Sequence, residues 1–141
     1  MAAEIVHGGC LCGAVRFEVR LPMQVSAHCH CSMCRRAHGA AFVTWVRLPK
    51  EQLSIIAAPG RVAWYQSSEP ARRGFCAVCG SSLFFESEDS QETTDVVLAN
   101  IDGPNDLSPQ LHVFYDDRVD WIEVGDDLPR LGGQTGLEPL A

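Results

Sequence analysis

Residues 76–80 are Cys76-Ala77-Val78-Cys79-Gly80, two cysteines separated by two residues and followed directly by a glycine. Two thiolates at this spacing can bind one metal ion from a single turn. A glycine behind the second cysteine can take a positive φ, which lets backbone N–H groups point at the sulfurs and spread their charge. The run Cys10-Leu11-Cys12-Gly13 repeats this arrangement near the amino terminus. Each run therefore offers half of a four-sulfur metal site.

The remaining cysteines are Cys29, Cys31 and Cys34, so all seven cysteines of the 141-residue chain fall in three short clusters. A closed structural zinc site takes four ligands, whereas a catalytic zinc site keeps one coordination position open. Seven sulfurs divide into four and three, which predicts one closed zinc site and a second zinc with an open position. Spacing alone also permits the amino-terminal pair to join the central cluster. The favoured closed site consists of Cys10, Cys12, Cys76 and Cys79.

The cysteine pattern indicates metal binding rather than disulfide bonds. An odd number of cysteines cannot form a complete set of intramolecular disulfides, and Cys-x-Cys pairs are awkward to bridge with each other. Residues 1–9 lack the basic region and the apolar stretch of about 7–15 residues that a secretory signal needs. The longest apolar passage, residues 39–46, is far shorter than the roughly 20 residues that span a bilayer. We therefore expect a cytoplasmic protein with reduced thiols and no membrane association.

Composition indicates a compact, enzyme-sized domain. Apolar residues make up 46% of the chain, which is enough for a hydrophobic core. The formal net charge is -7 at pH 7, and zinc-bound thiolates would make it more negative. A negative field repels phosphate backbones, so nucleic-acid binding is disfavoured. We expect a monomer or a homodimer that acts on small molecules.

Alternating hydrophobicity and turn signals predict a mainly β fold. From Ala14 to Arg20, valine and phenylalanine alternate with charged residues, which is the period of a half-buried strand. One helical turn is predicted over Ser32–His38, between a capping Ser32 and a terminating Gly39. Because strands and helices do not alternate, we expect antiparallel sheets in a single domain. The other predicted strands are Val25–Cys29, Phe42–Leu48, Leu53–Ile56, Val62–Gln66, Ser82–Glu86, Asp95–Asn100, Leu111–Tyr115 and Trp121–Val124.

The central run, Cys29-His30-Cys31-Ser32-Met33-Cys34, places three sulfurs within six residues. Three thiolates can bind one zinc and leave its fourth position for water or a substrate. His28, His30 and His38 are candidate fourth ligands, and any of them would close the site. A histidine beside a metal-binding cysteine is as often an outer hydrogen-bond donor or a solvated residue. Both interpretations are open at the level of sequence.

Three ordered motifs carry a family resemblance: Gly9–Val15 with Cys-x-Cys-Gly, Cys29–Arg35 with Cys-His-Cys-x-x-Cys-Arg, and Phe75–Gly80 with Phe-Cys-x-x-Cys-Gly. Asn100–Gly103 and residues 109–121, with Pro109-x-x-His112-Val113 and Trp121, add a carboxyl-terminal pattern. Together they resemble the glutathione-dependent formaldehyde-activating enzymes, a superfamily that also contains centromere protein V. The resemblance covers residues 5–128, and residues 129–141 are expected to form a loose tail.

The resemblance implies a β-tent fold of antiparallel sheets stapled by zinc–cysteine sites. It implies a carbon–sulfur lyase of the S-(hydroxymethyl)glutathione synthase type, acting on glutathione or a similar thiol and a small aldehyde. A zinc-stabilised module that binds a small thiol or a protein without catalysis, and a thiol redox sensor, are the alternatives. The implied zinc ions are two per chain: a structural zinc on Cys10, Cys12, Cys76 and Cys79, and a second, catalytic-type zinc on Cys29, Cys31 and Cys34.

Arginines near the cysteines suggest how a thiol substrate could dock. Glutathione carries carboxylates, which need local positive charge on an acidic protein. Arg35 and Arg36 follow the central cluster, while Arg72 and Arg73 precede Cys76. We predict that one or more of these arginines bind a substrate carboxylate. The alternative is that they are ordinary solvated side chains.

Three further residues lie at positions that match the family. Trp121 is predicted to lie in the core, and Asp102 is predicted to form a turn with the glycine that follows it. His112 has two equal interpretations, a buried hydrogen-bonded residue or a polar wall of the site.

Overall fold

The computed structural model describes residues 4–140, which form twelve β-strands, one α-helix and four short 3-10 turns. Contacts divide the chain into two compact units, residues 4–24 with 46–107 and residues 25–45 with 108–140. The predicted mainly β fold with antiparallel sheets is confirmed. The helix α1 is Ser32–His38. The strands are β1 Ile5–Gly9, β2 Val15–Arg20, β3 Val25–Cys29, β4 Val43–Pro49, β5 Leu53–Ala57, β6 Val62–Gln66, β7 Ala71–Cys76, β8 Ser82–Ser87, β9 Thr93–Val97, β10 Leu111–Val113, β11 Leu131–Gly132 and β12 Glu138–Pro139.

In the first unit, a three-stranded antiparallel sheet has the order β1-β2-β5. The alternation predicted for β2 is observed, because Val15, Phe17 and Val19 are each at most 1% exposed. Burial of each such side chain contributes about 1.5–3 kcal/mol. Gly8 pairs with Phe17 in the β1–β2 register, and a Cβ at this glycine would overlap the phenylalanine ring. The core therefore requires glycine at this position.

The same unit contains a second set of strands in the order β4-β9-β8-β7-β6. Phe84 of β8 packs edge-to-face on Phe17, with ring centroids 5.5 Å apart. This contact joins the two sets of strands through their apolar faces. Further fully buried side chains of this core are Val46, Leu48, Leu83 and Val96.

A buried ion pair links β4 and β9. Nε and Nη2 of Arg47 donate to the two carboxylate oxygens of Asp95 at 2.8 and 3.1 Å. The side chain of Asp95 is only 10% exposed, and that of Arg47 is 38% exposed. Burial raises the pKa of Asp95, while the hydrogen bonds to Asp95 raise the pKa of Arg47. The carboxylate therefore depends on Arg47 to remain charged inside the protein.

We expect Arg47→Met to lower the free energy of unfolding by about 2–3 kcal/mol at neutral pH, because a buried carboxylate would lose its partner. The folded-state pKa of Asp95 would then lie further above its unfolded value. The folded protein would bind the proton more tightly, so the loss should shrink as the pH falls through that pKa. Urea denaturation at several pH values measures how the loss in the free energy of unfolding depends on pH. The double variant with Asp95→Asn should recover most of the stability, and a loss independent of pH would contradict the explanation.

In the second unit, β3 pairs with β10 in parallel. Residues 129–140 also differ from the loose tail that we expected. β11 and β12 form a short antiparallel pair, and the N–H of His112 in β10 donates to the carbonyl of Pro129 at 2.8 Å. Backbone hydrogen bonds thus give this segment structure that its Gly- and Pro-rich sequence does not predict. The domain boundary at residue 128 stays a prediction.

Helix α1 has the predicted bounds but not the predicted cap. The N-cap is Cys31, whose Sγ accepts the N–H of Cys34 at 3.2 Å, so the prediction that Ser32 caps the helix is wrong. Gly39, with φ of 59°, ends the helix as predicted, and its N–H donates to the carbonyl of Arg35. A cysteine cap brings the first turn of the helix directly onto a sulfur of the central cluster.

The predicted strand Trp121–Val124 does not form, and Trp121 is 72% exposed, so its predicted place in the core is also wrong. The guanidinium of Arg130 donates to the carbonyls of Val124 and Asp126 at 3.2 and 2.8 Å. A side chain thus binds the carbonyl of the last residue of the predicted strand, where a neighbouring strand would otherwise donate.

Candidate metal centres

Two groups of cysteines come together in the folded chain, and the first contains Cys10, Cys12, Cys76 and Cys79. Their four sulfurs all lie within 4.8 Å of one another. The Sγ of Cys12 lies 3.7 Å from that of Cys10 and 3.8 Å from that of Cys76. The structure therefore brings the amino-terminal pair to the 76–79 pair, which was the favoured of the two pairings.

Backbone N–H groups point at these sulfurs, as the glycines predicted. The N–H groups of Val78 and Cys79 both donate to the Sγ of Cys76 at 3.4 Å. Gly80 in this turn has φ of 81°, and Gly13 in the amino-terminal run has φ of 85°. Such N–H groups stabilise negative charge on the sulfurs that they contact. The turns are therefore built to hold thiolates.

The charge states of the four thiols differ. Hydrogen bonds from the Ser81 hydroxyl and backbone lower the pKa of Cys79 to about 5. The N–H of Ala14 lowers the pKa of Cys12, but desolvation and the neighbouring sulfurs outweigh it and raise that pKa to about 11. Four crowded thiols cannot all ionise unless a cation shares their charge. The donor set therefore fits a thiophilic divalent ion such as Zn²⁺.

The second group is Cys29, Cys31 and Cys34, whose sulfurs also lie within 4.8 Å of one another. Cys29 ends β3, Cys31 caps α1, and Cys34 lies in the first turn of that helix. The three residues are 6, 9 and 4% exposed, respectively. Hydrogen bonds with the other two thiols, followed by burial, raise the pKa of Cys29. Three buried thiols of this kind fit a cation that would hold them as thiolates.

The histidines proposed as fourth ligands lie elsewhere. Among residues 4–140, no histidine joins the three sulfurs within the same 4.8 Å. Nδ1 of His28 lies 2.8 Å from a threonine hydroxyl, and Nε2 of His30 lies 2.8 Å from Nδ1 of His112. His38 packs edge-on against Trp45, with ring centroids 5.2 Å apart. The second group is therefore a three-sulfur group in the described part of the chain.

A chain of polar side chains next to this group was missed by the sequence analysis. Nε2 of His112 lies 2.9 Å from Oδ2 of Asp126, and the other nitrogen of His112 bonds to His30. His112 is 1% exposed, which agrees with the interpretation of a buried hydrogen-bonded residue. Burial, followed by the charge of His112, lowers the pKa of His30 to about 4, so His30 is neutral at pH 7. Asp126 lies 96 residues from His30 and has no sequence signal of its own.

The arginines have different surroundings. Nε of Arg35 donates to a backbone carbonyl of the central cluster at 3.3 Å, and Arg36 on the same helix is exposed. Arg72 stacks 4.0 Å above an indole ring and pairs with Glu86 at 3.4 Å. Arg73 lies over a phenylalanine ring at 5.1 Å. Arg35 and Arg36 are thus the two arginines on the helix that carries Cys34.

Comparison with known families supports the resemblance that the motifs suggested. The family model described as glutathione-dependent formaldehyde-activating enzyme matches residues 5–117, which include all seven cysteines. The chain belongs to this family. Family membership accounts for the three cysteine motifs and their order. Among residues 4–140, no helix has the length and apolar character that crossing a bilayer requires.

The individual relatives that match this chain have low sequence identity to it. A Halomonas elongata protein, provisionally named a glutathione-dependent formaldehyde-activating enzyme, is 26% identical over 85% of this chain and 81% of its own length. An uncharacterised lyase of Schizosaccharomyces pombe is 26% identical over 81% of each chain. A crystal structure of a Rhodobacter sphaeroides protein has a TM-score of 0.58 and 26% identity, and the match covers 71% of this chain and 91% of that one.

Proposed function

We propose that this member of the family is a zinc-dependent carbon–sulfur lyase of the S-(hydroxymethyl)glutathione synthase type, acting on glutathione or a similar thiol and formaldehyde. Family membership and the provisional names of relatives support this class of reaction. One observation carries the proposal: within residues 4–140, Cys29, Cys31 and Cys34 gather without a fourth protein ligand. Three sulfurs would leave one position of a tetrahedral zinc for a small molecule.

The proposal assigns two zinc ions to each chain. Cys10, Cys12, Cys76 and Cys79 would hold a structural zinc, and the three-sulfur group would hold the second. When bound, the second zinc would supply an open position that lowers the pKa of an incoming thiol. The proposal includes a cytoplasmic location, because the cysteines must stay reduced to bind zinc.

The surroundings of the second group suit a thiolate. The three cysteines are at most 9% exposed, so bulk water is largely excluded and electrostatic interactions are strong. The N–H of Cys34 donates to Cys31 at 3.2 Å and holds that sulfur in place.

The proposed reaction is an addition that needs no oxidant or reductant. The sulfur of glutathione attacks the carbonyl carbon of formaldehyde, a C–S bond forms, and the π pair of the C=O bond moves to oxygen. The proton lost by the thiol is returned to that oxygen, which completes S-(hydroxymethyl)glutathione. The reverse reaction is the carbon–sulfur cleavage of a lyase. Because the uncatalysed addition is already easy, the protein needs to accelerate it only modestly.

Arg36 supplies a test of substrate docking. We expect Arg36→Ala to raise the Kd for glutathione about five-fold, because an exposed charge-assisted contact contributes about 1 kcal/mol. Arg61→Ala removes an exposed arginine of the other unit and should leave the Kd unchanged. Isothermal titration calorimetry measures both variants. Equal affinities for Arg36→Ala and the wild type would remove Arg36 from the docking site.

Native mass spectrometry with and without glutathione tests the proposal itself. We expect two zinc ions per chain and one bound glutathione, and the same spectra distinguish a monomer from a homodimer. Exchange between ¹³C-formaldehyde and its glutathione adduct, followed by NMR, should accelerate in proportion to protein concentration. Two zinc ions and bound glutathione without acceleration would instead indicate a binding module without catalysis.

A further inference from the structure

The second unit contains a third group of side chains of the types that bind metals, and it shares no residue with either cysteine group. His28, His112 and Asp126 each offer one ligand atom, and these atoms lie within 4.8 Å of one another. His28 and His112 are direct partners in the parallel register of β3 and β10, so their side chains lie on the same face. Their ring centroids are 4.8 Å apart. Two imidazoles and one carboxylate are a known donor set for divalent transition metals.

Hydrogen bonds at the far side of each ring orient the two histidines. Nδ1 of His28 lies 2.8 Å from the hydroxyl oxygen of Thr44, and Nδ1 of His112 lies 2.8 Å from Nε2 of His30. Metal-binding histidines almost always bond their second ring nitrogen in this way. The arrangement leaves Nε2 of each ring as the ligand atom.

The carboxylate is also held in place. The N–H of Leu128 donates to Oδ1 of Asp126 at 3.0 Å. Nη1 of Arg130 lies 3.4 Å from the same oxygen, but this guanidinium also donates to the backbone carbonyls of Leu128 and Asp126 at 2.6 and 2.8 Å. Its positive charge is therefore shared among several acceptors. The side chain of Asp126 is 39% exposed whereas that of His112 is 1% exposed, so the group opens to solvent on the side of the carboxylate.

We propose that His28, His112 and Asp126 bind a divalent transition-metal ion in addition to the ions of the cysteine groups. Adjacent ligands on one ion with bonds of about 2.0–2.2 Å lie roughly 3 Å apart. Nε2 of His112 and Oδ2 of Asp126 are already 2.9 Å apart, so binding chiefly requires that His28 approach them. With three protein ligands, the ion would keep positions for water or a small anion. The site does not depend on the lyase reaction proposed above.

Cobalt provides a probe that distinguishes this site from the cysteines. The full-length protein is first loaded with two equivalents of zinc, which the thiolates of the cysteine groups bind in preference to imidazole and carboxylate, and is then titrated with Co²⁺ alone. We expect one Co²⁺ to bind per chain without release of zinc and without the thiolate-to-cobalt charge-transfer absorption of a sulfur site. In NMR spectra the ring signals of His28 and His112 should broaden, while those of His7 and His38 should not.

Two variants and one control complete the test. Asp126→Asn keeps the shape of the side chain, and we expect it and His28→Gln each to weaken Co²⁺ binding at least ten-fold. Asp127→Asn removes the neighbouring exposed carboxylate and should bind Co²⁺ like the wild type. Three results would leave a hydrogen-bonded network only: no third ion in the wild type, unchanged binding in both variants, or charge-transfer absorption accompanied by zinc release. The wild-type titration and spectra decide the question even if a variant fails to fold.

Discussion

A Cys76→Ser variant is expected to be largely unfolded at room temperature, even with zinc present. Cys76 is fully buried, and its sulfur lies 3.8 Å from that of Cys12, which is 64 residues away in the sequence. Structural zinc sites contribute on the order of 10 kcal/mol to folding, whereas whole domains are stable by only about 5–15 kcal/mol. A serine hydroxyl stays protonated at neutral pH and is a poor replacement for a thiolate. Loss of this ligand should therefore remove most of the stability of the chain.

Circular dichroism and metal analysis check this expectation, and Val78→Ser is the matched control. Val78 lies in the same turn and is 55% exposed, so the control should change the free energy of unfolding by no more than about 0.5 kcal/mol. The control also introduces the same residue type two positions away. Cys76→Ser protein that folds cooperatively with the wild-type denaturation midpoint would show that the four-sulfur group does not hold the fold together.

The parts of the fold that sequence predicted well are those in which one face of a strand is buried. β2 is the clearest case, because Val15, Phe17 and Val19 face the core and the charged residues between them are more exposed. Burial of one face of a strand requires an apolar residue at every second position. β3 and β6 also have the predicted bounds, although burial does not alternate along them.

β7 was not predicted, and its residues explain why. Ala71, Arg72, Arg73 and Gly74 have little of the β-branched or aromatic character that marks a strand. The strand forms because β6 and β8 pair with it on both sides, and because Gly74 lets the ring of Trp64 lie against its backbone. These are tertiary causes, and they leave no local pattern in the sequence.

In the candidate sites, too, local features were predicted from sequence and long-range contacts were not. Cysteine spacing and the glycines that follow predicted that each Cys pair lies in one tight turn, because such a turn is a local structure. Spacing alone did not fix which pairs gather, because Cys12 and Cys76 are 64 residues apart. The bonds from His30 to His112 and from His112 to Asp126 join segments 82 and 14 residues apart. The parallel pairing of β3 with β10 brings the segments of His30 and His112 together, and sequence did not predict that pairing. Long-range polar contacts of this kind became visible only in the folded chain.

A Cys34→Ser variant is expected to lose the proposed activity while it keeps its fold. Cys34 is 4% exposed and lies in the first turn of α1, where its N–H donates to Cys31. Two sulfurs and a hydroxyl bind a soft cation much more weakly than three sulfurs do. Metal analysis should show one zinc per chain instead of two, and protein-dependent exchange of the formaldehyde adduct should fall at least ten-fold, toward the rate without protein.

The matched control is Met33→Ala on the same helical turn. Met33 is 47% exposed and contributes no ligand atom to either cysteine group, so its loss should leave both the zinc content and the exchange rate unchanged. Comparison of Cys34→Ser with Cys76→Ser then separates the two zinc sites by their effects, because the first should lose activity and the second should lose the fold. If Cys34→Ser retains two zinc ions and full acceleration, the three-sulfur group is not where the thiol reacts.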